Sequence, residues 1–272
     1  EGGTILMLEA HQDTVPADGM TIPPWTPDIR DGRVYGRGAC DIKGGMACML
    51  TALSRLAEER PGGRPTIVMA CSVNEEHGFG GAPRIHELWA DGSGFLPRAP
   101  DAVIVAEPTS LDVVVAHKGA LRWRCHARGR AGHSSQPELG DNAIYRMAHV
   151  LEALERYARD VAPTLGRHPL VGHPTLSVGL ISGGVSVNTV PDCCTIEIDR
   201  RVLPDEDPQR AFEHVTAFVA QALAHDPLVE HERPYLISSG LSDELSRDFA
   251  SRLSGTIRLH GGSGQCLGVP YG

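Results

Sequence analysis

Three continuous apolar runs mark the first hundred residues: Thr4-Ile5-Leu6-Met7-Leu8, Thr66-Ile67-Val68-Met69-Ala70-Cys71-Ser72-Val73 and Val103-Ile104-Val105-Ala106. Runs of this length with no polar face predict strands covered on both sides in a parallel sheet. Between them Gly44–Arg60, rich in Met, Ala and Leu, and Ala82–Ala90 read as helices. Strand and helix in alternation predict an α/β core with a mostly parallel central sheet. After about residue 115 the pattern changes. Residues 120–127 alternate like a strand with one solvated face, and 143–158 repeat apolar positions at helical spacing. Thr175–Ile181 and Cys194–Ile198 follow as strands, Pro208–Ala224 as a helix and Leu228–Arg233 as a last strand. This βαββαβ order predicts a small antiparallel sheet with helices on one face, an α+β domain over residues 117–233 inserted into a first domain made of 1–116 and 234–272.

With 41% hydrophobic residues, the 272-residue chain can bury a sizeable core. Its 34 acidic against 25 basic residues leave a formal charge of −9, which argues against a surface for nucleic acid, since phosphates need clustered cations. No run approaches the ~18 apolar residues that cross a bilayer, so no membrane partner is expected. Glu1-Gly2-Gly3-Thr4 lacks the basic and apolar regions of a signal peptide, and the seven cysteines include no CxxC pair. Reduced thiols in a cytoplasmic protein fit this usage. Because an apolar run begins at residue 4 and Val269-Pro270-Tyr271-Gly272 reads as mid-loop, the chain is expected to be a piece of a longer protein.

Metal-ligand residue types stand just past the ends of the predicted core strands, where open α/β sheets bind ligands. His11 follows the first run, with Asp13 two residues on; a carboxylate there can fix the tautomer of a metal-bound imidazole. Gly36-Arg37-Gly38-Ala39-Cys40-Asp41-Ile42-Lys43-Gly44 is a glycine-rich turn presenting one carboxylate. It is not a phosphate loop, because Lys43 is followed by Gly rather than Ser or Thr. Glu75 and Glu76 close the second run, and as neighbours they diverge, so one can bind a cation while the other moves protons. Glu107 follows the third. Singly, these could be a loop histidine, a helix cap by Asp41 and solvated acidic turns. Together they match a site for two divalent ions ~3.5–4 Å apart that share a bridging carboxylate, with zinc the best fit to mixed N/O donors and cobalt or manganese next.

The segments LEAHQDTVP, GRGACDIKGG, SVNEEHGFGG and VAEPTS, in this order, resemble the metal-site motifs of the M20 family of dinuclear metallopeptidases and deacylases. The resemblance implies a zinc-peptidase-like catalytic domain and an inserted lid and dimerisation domain. It implies that His11 and Glu107 bind one ion, Glu76 the other and Asp41 both, that Asp13 orients His11, and that Glu75 is the general base. Arg130-Ala131-Gly132-His133-Ser134-Ser135-Gln136-Pro137 resembles the lid motif whose histidine reaches a partner's site, which makes His133 the implied oxyanion donor. Val187-Asn188-Thr189-Val190-Pro191 and Asp199-Arg200-Arg201 resemble the substrate-binding stretch. Asn188 and Arg201, thirteen positions apart, are the implied contacts, Arg201 clamping a carboxylate. The family's last histidine ligand falls beyond a segment resembling Gly268-Val269-Pro270-Tyr271-Gly272 and has no match in this chain. The implied activity is removal of an acyl group from an N-acyl amino acid, nearest to the acetylornithine deacetylase-like members, by a homodimer. A dipeptidase or carboxypeptidase using the same ions, or a catalytically silent binding subunit, are the alternatives.

Overall fold

The computed structural model of the protein describes residues 3–90 and 94–271. Two compact units divide the chain, Glu1–Leu111 and Asp112–Gly272. The first contains β1 (Ile5–Glu9), β2 (Asp28–Arg30), β3 (Arg33–Tyr35), α1 (Gly44–Glu59), β4 (Thr66–Ala70), α2 (Ala82–Ile85), α3 (Glu87–Ala90) and β5 (Ala102–Val105). β1 is the middle strand of a parallel sheet in the order β4-β1-β5, with Glu9 opposite both Ala70 and Val105. Ile5, Met7, Ala70 and Leu96 form its core, and Val68, Ile85, Leu88 and Trp89 pack against them. β2 and β3 form a hairpin whose linking residues, Asp31 (φ 51°) and Gly32 (φ 71°), both adopt the left-handed backbone that a two-residue turn of matching twist demands.

Two expectations for this unit are corrected. The helix predicted over Ala82–Ala90 is two single turns broken at His86, whose ring Nδ1 donates to the Pro83 carbonyl. One of the strands is also not covered on both faces. β5 is an edge strand whose Val103 and Val105 are 46% and 56% exposed, and α1 has no fully buried residue.

The second unit contains β6 (Val113–His117), β7 (Gly119–Arg128), β8 (Gly132–His133), α4 (Ala143–Arg156), β9 (Thr175–Gly183), β10 (Thr189–Val190), β11 (Cys193–Val202), α5 (Pro208–Ala222), β12 (Val229–His231), β13 (Leu236–Ser238), α6 (Arg247–Leu259) and β14 (Cys266–Val269). Its main sheet runs β12-β7-β11-β9, all antiparallel, with α4 and α5 on one face. The predicted βαββαβ order is present in full. Strand alternation supplies the core: Leu121, Trp123, Cys125 and Ala127 from β7 meet Ile196 and Ile198 from β11, and the helices add Met147, Val150, Val215 and Val219. Trp123 packs edge-to-face on Phe212 with ring centroids 5.4 Å apart. Both helices begin at side-chain caps. The Asn142 carbonyl oxygen accepts from the Ile144 and Tyr145 amides, and the Asp207 carboxylate from those of Gln209 and Arg210.

Alternation also separates two neighbouring arginines. Arg200 is fully buried on the helix side, its guanidinium 2.6 Å from the Glu206 carboxylate, while Arg201 points to the opposite face. A bulge in β9 leaves Gly179 unpaired between Val178 and Leu180. Residues 234–272, expected with the first domain, here belong to the second unit. β13 hydrogen-bonds to β7, and β14 pairs parallel to β6 beneath α6, around Val113, Val115 and Ala250. No helix among the described residues is long and apolar enough to cross a membrane.

His231 makes the second unit acid-sensitive. Its Nδ1 accepts a hydrogen bond from the buried Trp123 Nε1 at 3.0 Å, and burial, with a smaller push from His126, lowers its pKa to about 4. In the unfolded chain the ring titrates near 6.5, so the unfolded state binds the proton first as pH falls. Stability contributed above pH 6.5 is therefore lost between 6.5 and 4, by up to about 3 kcal/mol. The urea midpoint, followed by hydrogen exchange of β7 and β11 amides, is expected to drop from pH 7 to pH 4.5. His231→Gln, which gains no proton, is expected to flatten that drop.

Candidate functional site

Parallel pairing sets the site in the first unit. β1, β4 and β5 end at the same edge of the sheet, and their register continues past the strands: the Gln12 amide donates to the Ser72 carbonyl at 2.9 Å and the Ala106 amide to the Glu9 carbonyl at 2.8 Å. His11 and Glu107 thus stand two residues beyond the mutually paired Glu9 and Val105. Asp41 comes from the glycine-rich turn before α1. There Gly38 has φ 75°, and a Cβ at that position would lie 2.7 Å from the Thr14 methyl, so only glycine lets this loop close on the segment after β1.

His11 is 2% exposed. Its Nδ1 donates to the main-chain oxygen of Asp13 at 3.1 Å, and its Nε2 lies 2.9 Å from Asp41 Oδ1. Both ring nitrogens thus face acceptors. The ligating atoms of His11, Asp41 and Glu107 lie within 4.8 Å of one another, as do those of His11, Glu75 and Glu76. The geometry makes His11 common to both groups, whereas the motif resemblance makes Asp41 the shared ligand.

The electrostatics follow from this crowding. Burial pulls the His11 pKa down, but the hydrogen bond to Asp41 and the charges of Glu107, Glu75 and Asp41 outweigh it and raise it above the usual imidazole value. Burial is the main force lifting Glu107 to about 7, reinforced by Asp41 and Glu75 and opposed by His11. Burial also raises Glu75; His11 opposes this, and Glu76, Asp13 and Asp41 add to it. Several carboxylates disfavouring one another's charge around an imidazole is the condition that a divalent cation relieves, so the donor set fits such ions.

Asp13 does something the motif did not announce. Its carboxylate Oδ1 stands 3.6 Å from His11 Nδ1, beyond hydrogen-bond range, and it is the Asp13 carbonyl that holds the ring. The carboxylate instead accepts the main-chain amides of Glu75 and Glu76, at 3.1 Å each. Burial opposes the charged form of Asp13, yet these two amides bring its pKa below the usual carboxylate range. Lys43 was also missed. Its ammonium donates to the Gln12 carbonyl and ties the Asp41 turn to the segment carrying His11 and Asp13. The signal was its place two residues after Asp41, which sequence reasoning weighed only against a phosphate loop.

In the second unit β8 pairs with β10, His133 opposite Thr189, and the Ser134 amide donates to the Asn188 carbonyl at 3.0 Å. His133 and Asn188 are therefore neighbours. Arg201 is not with them. It lies eight residues along β11 from Cys193, about 26 Å at ordinary strand rise, and its guanidinium is held by Asp199 at 2.7 and 3.2 Å.

Comparison with known proteins agrees with this architecture. Residues 115–227 match the M20 peptidase dimerisation domain. An acetylornithine deacetylase from Myxococcus xanthus is 34% identical over 84% of this chain and 58% of its own length. A probable succinyl-diaminopimelate desuccinylase from Staphylococcus aureus strain MRSA252 is 34% identical over 76% of this chain and 55% of its own. The chain thus spans less than two thirds of these relatives. In fold it is similar to a tripeptidase from S. aureus Mu50, with TM-score 0.71 at 22% identity, covering 99% of this chain and 68% of that one. It is similar also to an M20 family metallo-carboxypeptidase from Sulfolobus solfataricus, with TM-score 0.68 at 19% identity, covering 99% of this chain and 72% of that one. With the strand-end donor set in its first unit, the chain carries in its second the M20 peptidase dimerisation domain and is similar over most of its length to M20-type deacylases.

Proposed function

We propose that the protein is a metal-dependent amidohydrolase that removes the acyl group from an N-acyl amino acid. The observation that carries this is the convergence of His11, Asp41, Glu75, Glu76 and Glu107 at one edge of a parallel sheet. His11 and Glu107 would hold one divalent ion and Glu76 the other, with Asp41 shared between them. Two ions there, zinc in our reading with cobalt or manganese as alternatives, would supply a more acidic water and a polarised amide carbonyl.

Glu75 serves as general base. Its raised pKa suits a group that takes a proton from the attacking water and passes it to the leaving amine. Asp13 holds the main chain of both glutamates, so the base and its ligand neighbour keep one spacing. His133 would donate to the developing oxyanion in a partner's site, with Asn188 beside it, and Arg201 would clamp the substrate carboxylate.

A homodimer follows from that division and from the open edge of β9. Among the described residues that strand pairs with β11 on one side only, and Leu180 and Ile181 on it are 63% and 58% exposed. The seven free cysteines support a reducing cytoplasm. Short-peptide hydrolysis is the second reading, favoured by the tripeptidase and carboxypeptidase among the similar folds.

The deciding experiment pairs metal content with turnover of N-acetylornithine, N-succinyl-diaminopimelate, other N-acyl amino acids and dipeptides. On the full-length product, which is expected to supply the remaining histidine ligand, two ions per chain and turnover of an N-acyl amino acid are expected. Turnover of dipeptides alone selects the peptidase, and less than one ion per chain with no turnover selects a silent binding subunit. Glu75→Ala is expected to lower kcat by roughly 10²–10⁴-fold with metal content unchanged; loss of metal with activity would make Glu75 a ligand instead. Leu180→Lys is expected to turn dimer into monomer in sedimentation at micromolar protein. An unchanged dimer would place the interface elsewhere.

A further inference from the structure

His133 sits at the end of a short strand whose main chain is fixed on both sides. Its opposite number in β10 is Thr189, the next amide, of Ser134, donates to Asn188, and the Gln136 amide returns to the His133 carbonyl at 3.0 Å. Within that frame the ring is turned back on its own chain. Nδ1 lies 3.2 Å from the Ser135 main-chain nitrogen and 2.8 Å from Ser135 Oγ.

A main-chain amide has a hydrogen to give and no lone pair with which to accept one. Nδ1 must therefore be the accepting nitrogen, and the Ser135 hydroxyl on the same atom must donate as well. A neutral imidazole carries one ring proton, so that proton is on Nε2.

We propose that Ser135 is a positioning residue that locks His133 as the Nε2–H tautomer in one ring orientation, so that Nε2–H is the single donor the ring offers. This rests on the hydrolase reading, in which that donor meets the oxyanion. Without the Ser135 hydroxyl only the longer main-chain amide contact, 3.2 Å from Nδ1, remains, so the ring populates more of the Nδ1–H form, in which Nε2 carries only a lone pair. A lone pair facing a developing oxyanion repels it, so each molecule in that form is lost to catalysis.

The ring nitrogens of the uniformly ¹⁵N-labelled full chain, read at a pH where imidazoles are neutral and assigned with His133→Gln, give the test. Wild type is expected to show an unprotonated Nδ1 and a protonated Nε2. Ser135→Ala is expected to move both shifts toward the average of two tautomers, and Ser135→Thr to restore them. With the substrate found above, Ser135→Ala is expected to lower kcat roughly tenfold at nearly constant KM, the size of one lost hydrogen bond, and Ser135→Thr to recover most of it. A protonated Nδ1 in wild type overturns the proposal, as does a Ser135→Ala variant with unchanged ring shifts. The spectrum needs no turnover, so a chain that hydrolyses nothing would defeat the hydrolase reading while still deciding the tautomer.

Discussion

Around one buried imidazole the chain gathers the carboxylates of Asp41, Glu107, Glu75 and Glu76, and much of the first unit can be understood as what holds them there. Like charges at such range repel, and burial compounds the penalty, as the Glu107 pKa of about 7 records. No short stretch of chain would adopt this arrangement unaided. Three parallel strands ending at one level impose it, the Asp13 carboxylate pins the Glu75–Glu76 turn by its amides, and Lys43 anchors the Asp41 turn. The supporting groups are as much part of the site as the ligands, because each suppresses a movement that repulsion would otherwise drive.

How much of this was legible in the sequence depends on the range of the interaction. The apolar runs gave away β1, β4 and β5, and the ligand residues stood at their ends, since strand identity and strand end are local properties. The helices α1, α4 and α5 were legible for the same reason. What escaped was long-range. Asp13 meets amides 62 and 63 positions away, and nothing in its own motif distinguishes that from a contact with His11. β13 and β14 are runs of three and four residues, too short to leave a pattern, and their partners β7 and β6 are remote in sequence. Val103 and Val105 read as buried because composition reports what a residue tolerates, not whether anything is packed on it.

The second unit shows a different economy. Its order, βαββαβ, was readable, because alternation along β7 and the helical spacing of apolar residues along α4 are local patterns. Its chemistry was readable only as residue types. His133 and Asn188 come together through a two-residue strand pair too short to leave a pattern, while Arg201 lies far down the same sheet. A single protomer therefore separates these groups, which is the arrangement expected if the two ends of the unit serve different sites.

The pair Arg200 and Arg201 carries an evolutionary consequence. Strand period makes them opposites: one is sealed against Glu206 beneath the helices, the other stands on the open face beside Asp199. Losing or gaining one residue between Ile196 and Val202 would exchange their positions, stranding Arg201 in the core away from its carboxylate and turning the apolar Ile198 outward. β11 can thus drift by substitution but not by changes in length. β9, whose unpaired Gly179 already absorbs an extra residue, is where this sheet can accommodate an insertion.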